Sequence, residues 1–371
     1  MALPTKQILL RSPYWVTRED SELQYIIVDL KIWTGDLTAD EPINPNIRLR
    51  ATALDGNASV DISEFARDYV EVTFNGEADS NAVWMSYTLS YFNNEDELPT
   101  GVLPTEYLVG MDGYSVFQDG INYQWYKEVL MNSDRATAYN ESNIKIPVLQ
   151  DHLTGYELQK MNYSAYGQWG TFHETTGLTP TEDTDSIVKY VSSSYSGNYA
   201  GRIIFHFDGV PDETIYIDYQ DCTKFGLTNL YFVNRLGALQ EIHFSGRFDV
   251  QMEVESDSYK RNILVNGNYS DTRHQKYTLN KNGKIMMTLN TGWMSEDEND
   301  TILEQMLSEQ VWIRIDVARL GKGWLPKQSP SYVVPVILNT ENITIKNKFN
   351  DKLINYTFRF EAAHDWINTV R

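Results

Sequence analysis

At 371 residues and a net charge of −20, the chain has room for two or three domains of about 100–200 residues each. That charge excludes affinity for bare nucleic acid, whose phosphates require clustered cations. Its single cysteine, Cys222, excludes an intramolecular disulfide and a cysteine-held metal cluster, and reads as a buried bystander. The 24 tyrosines, within an aromatic content of 13%, exceed what cores need and suit pleated sheets and protein contact surfaces.

The opening MALPTKQILLRSPYW lacks the apolar core of a signal peptide, and no window reaches the apolar length of a membrane span. The expectation is a chain made and kept, or assembled, in a cytoplasm, with no membrane partner. Strand signals follow. In YIIVDLKIW, Ile26, Val28, Leu30 and Ile32 share one face. The turn-rich TGDLTADEPINPN leads to a second strand, IRLRATAL. DISEFARDYV reads as a short helix, with Asp61 as its cap and Glu64 reaching back to close a capping box. AVWMSYTLSYF alternates as a strand, and NNEDELPTG reads as a linker or long loop.

The Asp112-Gly113 and Asp119-Gly120 pairs are tight-turn signals. Residues 160–200, rich in Ser, Thr, Tyr and Gly, read as long loops between strands. RIIFHFDG and TIYIDYQ are strands around GVPDE, and NLYFVNRLGALQEIHFSG is two strands around NRLG. KIMMTLN is a strand. VWIRIDV alternates with Val311, Ile313, Ile315 and Val317 inward. YVVPVIL carries Pro335 and is expected at a sheet edge, because proline cannot donate to a ladder. ENITIKNKF and KLINYTFRFEA close the chain; in the latter Ile354, Tyr356, Phe358 and Phe360 alternate with polar residues.

Between these strands lies MSEDENDTILEQMLSEQ, where Glu296, Asp297, Glu298, Asp300 and Glu304 crowd together. The spacing predicts a helix over 296–308. Ser295 and Glu298 would form its capping box, and the early acids would face the positive end of its dipole. Ile302, Leu303, Met306 and Leu307 would form its buried stripe, with the acids turned to water or a partner. A calcium loop needs a glycine at its sharp turn, and DEND has none.

Other signals for chemistry are weak. His173-Glu174 begins an HExxH pattern, but position 177 is Gly. His206 and Asp208 share a strand face, as a metal pair or a solvated one, and His364-Asp365 reads the same way. DGNASVDISE offers Asp55, Asn57 and Ser59 at calcium-loop spacing, but has Val60 where Gly belongs and Ala66 where the bidentate acid belongs. Neither Gly321-Lys322 nor Gly283-Lys284 fits a phosphate loop, and there is no GxSxG elbow. No residue is assigned a catalytic, cofactor-binding or metal role, no cofactor is expected, and the chain is not read as an enzyme.

Three groups of segments carry a resemblance. RSPYWVTRED, LKIWTGD and VDISEFARDYVEV come first. LYFVNRLGALQEIHFSGR follows in the third quarter. HQKYTLN, LNTGWMSEDENDTILEQMLSEQVWIRI and FNDKLINYTFRFEAAHDWINTVR close the series. In this order the chain resembles virion structural proteins of marine contractile-tailed phages, chiefly cyanophages. The C-terminal segments are the most specific, and residues 95–200 lie outside the likeness. The resemblance implies a component of a tail, baseplate or neck, located in the virion and assembled in the host cytoplasm. Its partners would be other virion proteins and copies of itself.

The expected fold is mainly β, with two or more antiparallel sandwich- or barrel-like domains and one amphipathic helix. Residues 1–92 would form an N-terminal sandwich-like domain, 93–220 a β-rich and loop-rich middle region, and 221–371 a C-terminal β-domain carrying helix 296–308. Two alternatives stay open. One is a carbohydrate- or receptor-binding module using aromatic loops at 123–126 and 163–172 to stack on a host glycan; the other is a capsid decoration protein.

Overall fold

A computed structural model describes residues 6–70, 74, 82–94, 98–139, 143–149, 153–163, 169–178, 187–194, 199–220, 225–316, 331–345 and 353–367. The chain is mainly β, with several sheets building more than one β-domain. It forms two compact units, each assembled from separated stretches of sequence. The first comprises Met1–Cys222, Tyr231–Ile242 and Asp297–Glu309; the second comprises Thr223–Leu230, His243–Glu296 and Gln310–Arg371. Cys222, His173-Glu174 (beyond its backbone), Gly321-Lys322 and Val317 lie outside the described residues or side chains.

In the first unit, one sheet runs in the order Ile47–Thr52, Tyr25–Trp33, Ala82–Phe92, Glu106–Met111, Lys6–Leu9, Gln124–Trp125. Alternation in Tyr25–Trp33 works as the pattern requires: Ile26, Val28, Leu30 and Ile32 are buried against Ile8, Val83 and Leu108. Each such side chain contributes about 1.5–3 kcal/mol of burial. The pairing of Ala82–Phe92 with Glu106–Met111 carries this sheet across residue 92. A second sheet has the order Arg135–Tyr139, Glu213–Gln220, Tyr199–Phe207, Leu153–Tyr163, Trp169–Leu178. Much of the Ser/Thr/Tyr/Gly-rich region is therefore paired strand where loops were expected. β-branched and aromatic residues tolerate the pleat whatever their polarity. Not all pairing is antiparallel: Lys6–Leu9 runs parallel to Glu106–Met111, and Arg135–Tyr139 to Glu213–Gln220.

In the second unit, a sheet carries Val311–Asp316, Ser331–Leu338, Thr357–Ala362, Lys276–Asn290 and Phe248–Lys260 in that order. Val311, Ile313 and Ile315 are buried, as are Ile354, Tyr356, Phe358 and Phe360. The expected edge position of YVVPVIL is corrected, since Ser331–Leu338 lies between two strands. The proline is tolerated because its ladder with Thr357–Ala362 starts at Val336. Pro335 only accepts, from the Ala363 N–H at 2.9 Å, at the ladder's end.

Candidate functional site

The acidic segment 296–309 is where structure and sequence diverge most. A 3-10 turn, Glu296–Glu298, precedes the α-helix Asn299–Leu307, and Ser295 belongs to a short strand paired with Leu353. The expected Ser295/Glu298 capping box does not form, because Glu298 turns inward and accepts a hydrogen bond from the Thr137 hydroxyl. The amphipathic face is also reversed. Ile302 is buried as expected, but beside it lie Thr301, Glu304 and Gln305, whereas Leu303 is exposed and Leu307 is 56% exposed.

The carboxylates are therefore docking groups. At one end, Arg135 reaches Asp297 at 3.2 Å and Asp218 at 3.1 Å. At the other, Glu309 is held by Arg11 at 3.0 Å and Arg67 at 2.8 Å. Between them Glu304 faces the backbone N–H of Arg235 at 3.4 Å. Burial pushes Glu298 up to about 7. The Thr137 hydroxyl pulls it back, and the charges of Asp218 and Asp297 add to the rise. Burial likewise pushes Glu304 up to about 7, against the Arg235 N–H and guanidinium. Both acids take up and release protons near neutral pH as part of a packed interface. Gln305 is fully buried, and neither of its amide atoms has a partner among the described residues.

The turn Asn234–Gly237 meets this segment. Asn234 is fully buried and organises the turn. Its amide donates to Leu130 O at 2.7 Å and Gln240 Oε1 at 3.0 Å, and its carbonyl accepts from the N–H groups of Leu236 and Ala238. Arg235 pairs with Asp119, donates to Tyr114 O at 3.4 Å and covers the Tyr123 ring at 5.4 Å. Gly237 has φ +83, and a Cβ there would stand 2.6 Å from Asp112 N. Gly113 is pressed against the Arg235 carbonyl in turn. Two turn signals far apart in sequence are thus glycines for the same reason: their backbones touch.

The other sequence candidates disperse. His206 faces Asp212 at 2.9 Å and Glu157 at 3.7 Å rather than Asp208. Asp55-Gly56, with φ +50 and +77, forms a two-residue hairpin turn closed between Leu54 and Asn57. Asp61 accepts from the N–H and hydroxyl of Ser63 at the start of helix Ser63–Arg67, but the Glu64 half of the expected box does not form. Trp125 is only 6% exposed and belongs to a core with Trp33, Trp84 and Leu236, so it offers no face to a sugar, whereas Tyr126 of the same stretch 123–126 is 78% exposed. The side chains of 163–172 lie outside the description. Among the described residues no group of three His, Cys, Asp or Glu is placed to hold a metal, and no helix is long and apolar enough to cross a membrane.

A second feature went unread in the sequence. Phe248–Lys260 and Lys276–Asn290 pair as one long hairpin. Thr357–Ala362 supports only its base, Met286–Asn290. Beyond that, the run Met252–Lys260 is exposed throughout and reaches roughly 30 Å at about 3.4 Å per residue. Asn280, at φ +48, marks a bulge where the register shifts after Glu255. The tip folds on itself through Asn266-Gly267, both with positive φ, closed between Val265 and Asn268. The Asn-Gly pair was the available signal. It was missed because no strong alternation flanks it on an arm that has no core behind it.

No family model matches the chain, and no curated protein matches it. Among solved structures, the crystal structure of CBD12 from CALX1.2 is similar over 55% of this chain and 77% of its own, at 11% identity and a TM-score of 0.15. A score that low carries no argument about fold or function.

Proposed function

We propose that this chain is a structural subunit of a tailed-phage virion, in the tail, baseplate or neck, and that it works by protein–protein assembly. The observation that carries the reading is the arm Phe248–Asn290. An isolated two-stranded hairpin is marginal in water, yet this one holds Met252, Val254, Tyr259, Leu264, Val265, Tyr269 and Leu279 exposed. Apolar surface of this kind on an extended element marks a contact awaiting a partner. The sequence resemblance to phage virion proteins and the tyrosine-rich, mainly β composition support the same reading. Size-exclusion chromatography with light scattering, followed by negative-stain imaging of the purified chain, tests it. A closed ring or defined multimer is expected; a monomer across concentrations overturns self-assembly. The competing readings are a glycan-binding module, which a glycan array would reveal, and a capsid decoration protein, which would bind assembled heads.

A further inference from the structure

The distal part of the arm carries a charge opposite to that of the chain, above a more acidic base that holds Asp249, Glu253, Glu255 and Asp257. Between Lys260 and Lys281 lie Lys260, Arg261, Arg273, Lys276 and Lys281 against one acid, Asp271. This is a net +4 in a chain of −20, so the remainder carries −24. All five cations are exposed, and none has an ion-pair partner among the described residues. The base of the arm behaves differently. Lys284 is held by Glu255 at 3.1 Å and Glu361 at 3.6 Å, and Gly283 O accepts from the Trp366 N–H at 2.8 Å. Anchored at its base, the arm presents its free cations distally, alongside the Tyr259–Tyr277 ring pair at 5.6 Å and the neighbouring Leu279.

We infer that the distal arm, Lys260–Lys281, docks on the acidic surface of a second copy of this chain. The inference rests on the assembly reading above and specifies its contact. Like charge on the remainder of the chain opposes polyanions such as DNA or an anionic membrane at this arm. The same remainder is the acidic partner a basic, tyrosine-bearing arm fits, through complementary potential and aromatic anchors. The distal stretch Lys260–Lys281 is of the size of one side of an ordinary interface, roughly 20–30 residues. Each copy then offers an arm and receives one, a heterologous contact that propagates head to tail and closes into a ring when the rotation allows. Lysines on strand edges also serve simply to prevent edge pairing, and the experiment separates the two roles.

The test uses the full chain and the triple variant Lys260→Glu, Arg273→Glu, Lys276→Glu, with light scattering and sedimentation at low and high salt. These side chains are exposed, and circular dichroism verifies the fold. Loss of the multimer to monomer on charge reversal, and its weakening with salt in the wild type, is the expected result. A multimer unchanged by reversal overturns the arm contact while leaving the assembly reading intact. A monomeric wild type overturns both. Arm-dependent binding to duplex DNA or phosphatidylserine vesicles, without self-association, replaces the second copy with another partner and overturns the inference. A photo-crosslinker at Tyr269, exposed at the tip, should join two copies through acidic segments of the receiving one.

Discussion

Two neighbouring stretches of sequence use their polar residues in opposite ways. Asp297–Glu309 is dense in acids and holds most of them in place: Glu298 and Glu304 are inside, and the exposed Asp297 and Glu309 are clamped by arginines. The distal part of the hairpin Phe248–Asn290 leaves apolar and basic residues outside, with Tyr269 69% exposed, while Met287 and Leu289 at its base are buried. The difference lies in what stands behind each backbone. The helix packs against Thr137 and Arg235, which supply donors to buried carboxylates. Among the described residues no strand outside the hairpin pairs with its distal part, so alternation there has nothing to face. Composition alone assigns the burial of both the wrong way round.

The largest effect expected is at the clamp. Arg235→Ala leaves Asp119 without its cation and removes the cover of Tyr123, and should cost about 3–5 kcal/mol in urea unfolding. An Arg235→Ala variant within 1 kcal/mol of wild type, roughly the size of a surface change, would break the contrast drawn above. The reversed helix face is tested next. Ile302→Ala should cost about 2–5 kcal/mol, whereas Leu307→Ala should stay within about 0.5 kcal/mol. Equal effects would restore the amphipathic face that the sequence suggests.

The buried acids give a pH signature. Their pKa values are raised in the folded state to about 7, from the ordinary 4.5, so the folded chain binds more protons than the unfolded one. Their stabilising protonated form is complete below pH 4.5, and stability falls as pH rises to 7. The loss is up to about 3 kcal/mol for each fully buried group. Glu298→Gln and Glu304→Gln should therefore flatten the fall in stability between pH 5.5 and 8 and leave the variants more stable at pH 8. A wild-type stability that rises over that interval would place the two carboxylates in water. The smallest effect is at the arm's tip. Gly267→Ala, at φ +81 with open space around it, should cost about 1 kcal/mol and act only on local opening. Hydrogen exchange at Val265 and Asn268 should speed up while the base, Met286–Asn290, stays protected.

Much of the fold was legible because alternation reports a buried face wherever a sheet has one. Tyr25–Trp33, Val311–Asp316 and Thr357–Ala362 bury the residues their pattern names, and the NRLG turn sits where Asn and Gly place it. The candidate site was less legible because its pieces come from distant parts of the chain: Arg11, Arg67, Thr137 and Arg235 converge on one thirteen-residue segment. Pro335 shows the same limit at smaller scale, since a missing N–H excludes one ladder position and not a whole interior strand.

By itself, then, the sequence determined a mainly β chain, its strands and turns, a helix near 300 and a strongly acidic balance. These follow from short-range periods and from charge, which need no partner. Tertiary structure alone decided that Glu298 and Glu304 of that segment point inward and that a stretch rich in Lys, Arg and Tyr stands free. Burial depends on which distant donors or layers arrive behind a residue, and nothing local encodes their arrival.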